Sequence, residues 1–127
     1  MTTAFDGIRT GLTAEQEWTV TDDMVTRHVG GRGVLTTPRM IEMMEDVAGS
    51  VTAPLLPAGH VTVGYEVAIR HRAGAAVGAR VRVRAELVEV DGRKLNFRVE
   101  ARTEQAVIGE GTHRRTIVRR LGVVGSG

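Results

Sequence analysis

The chain of 127 residues contains no cysteine, which excludes a disulfide framework, a thiolate metal site and a cysteine nucleophile. Serine is scarce as well. Ser50 and Ser126 are the only two and neither stands in a G-x-S-x-G elbow, so a serine triad is excluded. Four aromatic residues, Phe5, Trp18, Tyr65 and Phe97, are too few and too scattered to stack successive bases of single-stranded nucleic acid. No apolar run reaches the roughly 18 residues of a membrane span, and residues 1–13 lack a charged segment followed by an apolar one. The expectation is a cytoplasmic protein with no membrane or nucleic-acid partner. His28, His60, His71 and His113 have no metal-ligand spacing and no accompanying carboxylate triad, so neither a metal nor a resident cofactor is expected.

What is present suits one globular domain. Apolar residues make up 42% and charged residues 25%, near the average for folded soluble chains. We divide the chain into an N-terminal segment, 1–14, a folded domain, 15–120, and a tail, 121–127. The net charge is only +2, and Lys94 is the only lysine among 17 basic residues. Arginine's planar fork suits phosphate. The loop 27–35 holds Gly30, Gly31 and Gly33, but it completes no phosphate-binding fingerprint and reads as a flexible connection.

Periodicity gives the architecture. Residues 17–20 read as a short strand. Thr37 suits a helix N-cap and Pro38 the first helical position, and Met40, Ile41, Met44, Val47, Ala48 and Val51 recur at helical spacing. A helix is therefore expected over 38–53, ended by Pro54 and Pro57. Glu45 lies at the border of its apolar stripe. After Gly59 the period becomes two. Val61, Val63, Tyr65, Val67 and Ile69 are expected on one apolar strand face, extended by His71, with Thr62, Glu66 and Arg70 on the other. Val81, Val83, Ala85 and Leu87 follow, then an Asp91-Gly92 turn, then Leu95, Phe97, Val99 and Ala101, and a last strand over 107–118. One strand, one long helix and four strands in an antiparallel meander make an α+β protein in which a sheet wraps a central helix, the hotdog arrangement. One helix covers a long sheet poorly, so a homodimer joined at sheet edges is expected.

Thr37, Glu45 and His71 are the residues of most chemical interest. A helix N-terminus stabilises developing negative charge, and a carboxylate with an imidazole can activate water or attack an acyl carbon. Taken one at a time, the three also read as a cap, a solvated helix residue and a strand-end residue. The order and intervals of VLTTPRMIEMMEDVA at 34–48, TVGYEVAIRH at 62–71, AELVEVDGRKLNFRV at 85–99 and IGEGTHRR at 108–115 resemble the fluoroacetyl-CoA thioesterase family of hotdog proteins. The resemblance covers residues 12–118.

That resemblance implies a homodimer that hydrolyses acyl-CoA thioesters, with CoA entering as part of the substrate. It places the family's catalytic threonine, glutamate and histidine on Thr37, Glu45 and His71, and a thioester-holding glycine on Gly64. Arg93, Arg114 and Arg115 become candidates for CoA phosphates. An acyl-carrier thioester would present the same reacting group. The family's fluoroacetyl-specific member has a longer, phenylalanine-bearing lid segment before the helix, whereas 27–35 is short and lacks an aromatic residue, so a general acyl-CoA is the expected substrate. Two other classes compete: a non-catalytic hotdog protein binding acyl-CoA or another small apolar ligand, and a nucleic-acid surface formed by Arg80, Arg82, Arg84, Arg98 and Arg102.

Overall fold

The structure, a computed structural model, describes residues 5–122. The strand β1 (Thr13–Thr19) leads to two short strands, β2 (Val25–Thr26) and β3 (Val34–Leu35), and then to the helix α1 (Thr37–Thr52). Four long strands follow: β4 (His60–His71), β5 (Arg80–Asp91), β6 (Lys94–Arg102) and β7 (Val107–Arg119). The main sheet has the order β1-β5-β6-β7-β4, and every neighbouring pair is antiparallel. The tail expected over 121–127 lies beyond the described residues from 123 onward. The N-terminal segment joins the domain before residue 15, since Ile8 is buried and the Leu12 carbonyl accepts from the Leu87 N–H.

Burial follows the apolar pattern closely in the middle of the sheet. Val81, Val83, Ala85 and Leu87 of β5 and Leu95, Phe97, Val99 and Ala101 of β6 are all buried against Met40, Met43, Met44, Val47 and Ala48 of α1. Each large side chain taken out of water contributes roughly 1.5–3 kcal/mol, so this layer supplies most of the driving force. The β5–β6 hairpin closes through Gly92 and Arg93, with Gly92 at a φ of 59° that a side chain would resist. Gly30 and Gly31, also at positive φ, turn the chain between β2 and β3. Among the described residues no helix is long and apolar enough to cross a membrane.

Three expectations are corrected. First, the opening strand starts at Thr13, because it pairs with β5 over its full length although only Ala14 and Trp18 are half-buried on it. Second, the four long strands do not form one meander. Only β5, β6 and β7 do, while β4 pairs with β7 at the far edge and a connection over 72–79 crosses the end of the sheet. Third, the uniform alternation along β4 fails. Gly64 sits opposite Arg115 but Glu66 sits opposite Arg114, so Tyr65 is an extra residue, a β-bulge. The bulge turns Thr62 and Gly64 toward the helix and leaves Val61 and Val63 on the outer side, while Ile69 and His71 still face inward.

Gly109 and Gly111 of β7 mark close approaches. A Cβ on Gly111 would lie 2.0 Å from the Ala68 carbonyl oxygen, whereas on Gly109 it would meet flexible methionine ends, Met40 at 2.5 Å and Met44 at 3.3 Å. Backbone cannot yield as a flexible methionine can. We expect G111A to lower unfolding free energy by about 2 kcal/mol or more and G109A by about 1 kcal/mol or less, read from urea denaturation midpoints.

Candidate active site

The start of α1 differs from expectation by one residue. Thr36 is the N-cap, its side chain accepting from the Arg39 N–H at 3.2 Å, and Thr37 is the first helical residue. Pro38 brings no N–H, and Arg39's is taken by the cap, which leaves the Thr37 N–H without a partner among the described residues. Relieved of capping, the Thr37 hydroxyl lies 2.7 Å from Nδ1 of His71 at the end of β4. The other ring nitrogen, His71 Nε2, is buried with no hydrogen-bond partner.

Glu45 belongs to a second cluster. It stands eight residues beyond Thr37, about 12 Å along the helix axis. A Cβ on Gly64 would come within 3.0 Å of Glu45 Oε2 and 2.6 Å of His113 Cε1, so the close packing of helix and strand there requires glycine. His113 is buried, with Nε2 4.0 Å from Glu45 Oε2. Arg115 completes the cluster. Its Nε donates to Thr62 Oγ1 at 2.8 Å, its Nη2 to the Thr62 carbonyl at 2.9 Å and its Nη1 to His113 Nε2 at 3.2 Å. Gly49 of α1 makes room for this guanidinium, whose Cζ would be 3.4 Å from any Cβ there. Glu42, Glu45, Asp46, Thr62, Gly64 and Arg115 line an open cleft of about 510 Å³.

The expected site residues thus separate into two groups within one chain. Thr37 meets His71, and Glu45 meets Gly64 and Arg115; no contact joins Glu45 to His71 among the described residues. Gly64 and His71 are seven residues apart on one strand, roughly 20 Å at strand rise. The three candidate arginines do not share a site. Arg114 faces outward and pairs with Glu66 at 3.1 Å, and Arg93 lies over the Phe5 ring, 5.9 Å from its centroid.

Thr62 and His113 were missing from the sequence-based constellation. Alternation alone puts Thr62 on the outer face, because the bulge has no apolar signature. His113 shares strand parity with Arg115 and Ile117, the one signal that could have found it.

The charge states follow from burial and bonding. The Glu66 carbonyl can only accept, so His113 Nδ1 carries a proton and donates to it at 2.9 Å, leaving Nε2 to accept from Arg115. Burial pulls the His113 pKa below its ordinary 6.5, with the Arg115 charge acting in the same direction and the Glu66 bond and Glu45 opposing. Burial also lowers the Arg115 pKa, opposed by Glu45 and Asp46; the guanidinium remains charged.

One long helix against an antiparallel sheet is the hotdog fold, and comparison with known proteins carries the definition to thioesterases. The profile of the fluoroacetyl-CoA-specific thioesterase family matches residues 19–121. The chain belongs to that family and is a thioester hydrolase. It is 31% identical over 121 residues to the fluoroacetyl-CoA thioesterase of Streptantibioticus cattleyicolor, a match covering 89% of this chain and 87% of that protein. The crystal structure of the fluoroacetyl-CoA thioesterase FlK superposes with a TM-score of 0.82 at 31% identity, covering 90% of both chains. A Thermus thermophilus hypothetical protein, described as a thioesterase superfamily member, gives a TM-score of 0.81 at 33% identity over 89% of this chain and 85% of that one.

The His113 shift has a signed consequence. The folded pKa lies below 6.5, so between that value and 6.5 the unfolded chain holds a proton that the native chain does not. This contribution is complete above pH 6.5 and declines as pH falls below it. Urea midpoints measured across this range should fall more steeply with acidification for the wild type than for H113Q.

Proposed function

We propose that the protein hydrolyses small acyl-CoA thioesters at a site whose two halves come from two copies of the chain. The observation that carries the reading is the Thr37–His71 hydrogen bond, which holds an imidazole at a helix N-terminus with its second nitrogen buried and unpartnered. With Nδ1–H donating to Thr37 Oγ1, Nε2 keeps its lone pair and can take a proton from water. The water oxygen attacks the acyl carbon, the C–S bond breaks, and the proton held on His71 passes to the departing thiolate. Glu45 either shares the water's proton as a second base or itself takes the acyl group as the C–S bond breaks, the resulting anhydride then being opened by the water that His71 activates so that Glu45 is released; the Gly64 N–H polarises the thioester carbonyl.

The dimer has its own support. β4 ends the sheet, and Val63, Tyr65 and Val67 are 44%, 47% and 43% exposed along it. A long apolar strand edge of this kind is a template for pairing. Antiparallel pairing of two β4 strands, centred on their exposed middle, sets the Ile69–His71 end of one beside the His60–Thr62 stretch of the other. The Thr37–His71 half of one copy would then meet the Glu45–Gly64 half of its mate, which a single chain keeps apart.

The S. cattleyicolor relative is named for fluoroacetyl-CoA. Here the segment between β2 and β3 carries no phenylalanine, tyrosine or tryptophan, and Val29 within it is exposed. We therefore expect kcat/KM for acetyl-, propionyl- and fluoroacetyl-CoA to agree within about tenfold, since one methylene or isostere in an apolar pocket discriminates weakly.

E45Q and H71A should each lose at least about a thousandfold in kcat, measured by thiol release, with the fold intact. Dissociated and mixed, the two variants should regain about a quarter of wild-type activity, because half the dimers are mixed and each holds one intact site. No recovery on mixing would refute the shared site, and near-normal turnover of either variant alone would refute its residue's role.

A further inference from the structure

Thr62, Glu66, His113 and Arg115 form a connected network beside Glu45 that the proposed reaction does not itself use. His113 is its hub. It is 1% exposed, and each ring nitrogen has one protein partner of fixed polarity: Nδ1–H donates to the Glu66 carbonyl at 2.9 Å, and Nε2 accepts from Arg115 Nη1 at 3.2 Å. Glu66 is the residue at which pairing resumes after the β4 bulge, so the first bond ties the imidazole to the backbone that presents Gly64. The second bond orients a guanidinium whose other donors are held by Thr62.

We propose that His113 is a positioning residue of this thioesterase site: its neutral imidazole locks the β4 bulge to Arg115 and so fixes Glu45 and Gly64 relative to one another. The proposal rests on the reaction proposed above. The charged groups around the ring agree with it. Glu45 approaches from α1 at 4.0 Å and Arg115 from β7, Asp46 lies further along the cleft, and the Glu66 carboxylate is turned away to Arg114. A proton added at Nε2 would abolish the acceptor for Arg115 and set two cations side by side. Burial, which pulls the His113 pKa down, keeps that proton off at neutral pH. Arg115 would otherwise be free to turn onto Glu45, which borders the same cleft.

Two substitutions separate the bonds. H113Q is long enough to keep an acceptor for Arg115, whereas H113N keeps a donor near the Glu66 carbonyl and falls short of Arg115. For hydrolysis of a short acyl-CoA we expect H113N to lower kcat about tenfold or more, with KM changed less than about threefold, and H113Q, which gives up only the Glu66 bond, to lower kcat by a smaller factor. A second readout is independent of turnover. In ¹⁵N spectra of the full-length protein, exchange of the Arg115 Nε–H with water should be slow in wild type and H113Q and about tenfold or more faster in H113N. Equal kcat and equal Arg115 exchange in wild type and H113N would overturn the proposal. If H113N does not fold, the wild-type spectrum decides: His113 must be the Nδ1–H tautomer at neutral pH, and an Nε2–H or doubly protonated ring overturns it. Because the spectra read the geometry directly, inactivity of the wild type toward thioesters would count against the reaction alone.

Discussion

One inserted residue in an edge strand decides what this fold can do. Gly64 and His71 are separated by seven positions, an odd number, and a regular strand must place such a pair on opposite faces. Tyr65, left unpaired where the register shifts against β7, reverses the alternation once. Thr62 and Gly64 before it, and Ile69 and His71 after it, therefore all face α1. Removing the bulge would restore regular pairing and would send either the imidazole or the glycine to the outer surface. The Glu66 carbonyl, bonded to a buried imidazole, anchors the irregularity from within.

A similar economy governs the helix start. Two consecutive threonines precede Pro38, and the backbone gives them different tasks. Thr36, in extended conformation, caps the Arg39 N–H, an interaction worth roughly 1 kcal/mol. Thr37, already helical, is left with a free hydroxyl next to the positive end of the helix dipole, where His71 can reach it. Had Thr37 been the cap, its oxygen would have been committed to the backbone. The cleft farther along the helix has a different character. Glu42, Glu45 and Asp46 line it beside the single cation of Arg115, so its net charge is negative and repels a diphosphate.

The parts of this arrangement that were legible in the sequence are those fixed by long, unbroken periods. The burial of Val81 to Leu87 and Leu95 to Ala101, and a helix placed within one residue at each end, follow from alternation and helical spacing alone. The bulge was invisible because Val61, Val63, Tyr65 and Val67 continue an apolar alternation straight through it. Val61 and Val63 face outward along an exposed edge and Tyr65 is the bulge residue, so their hydrophobicity points to the wrong face; Val67, opposite His113, shares the inner face with Ile69 and His71. The pairing of β4 with β7 was equally hidden, since sequence proximity favours β5 as its neighbour. The arginines illustrate a third limit. Arg114 and Arg115 are adjacent in sequence and opposite in space, one bonded to Glu66 on the outside and one half-buried beside His113. Composition cannot separate them; strand parity does.

These features meet at the sheet edge. An edge strand of twelve residues is usually blunted by charge, proline or brevity. At the centre of β4, where Val63 to Ala68 are exposed, the one charge is Glu66, neutralised by Arg114 at 3.1 Å, beside three large apolar side chains. As a free surface that stretch would be an aggregation hazard. In the proposed pairing it becomes the seam along which two incomplete sites are joined. The bulge then has a second effect beyond restoring parity: by adding local twist at Tyr65, it favours pairing of β4 with a matching, equally twisted strand over a flat one. A second copy of the same chain is the partner that carries that twist at that position. In the proposed dimer, the same residue that lets one strand face its helix at both ends therefore also selects the strand that pairs with it.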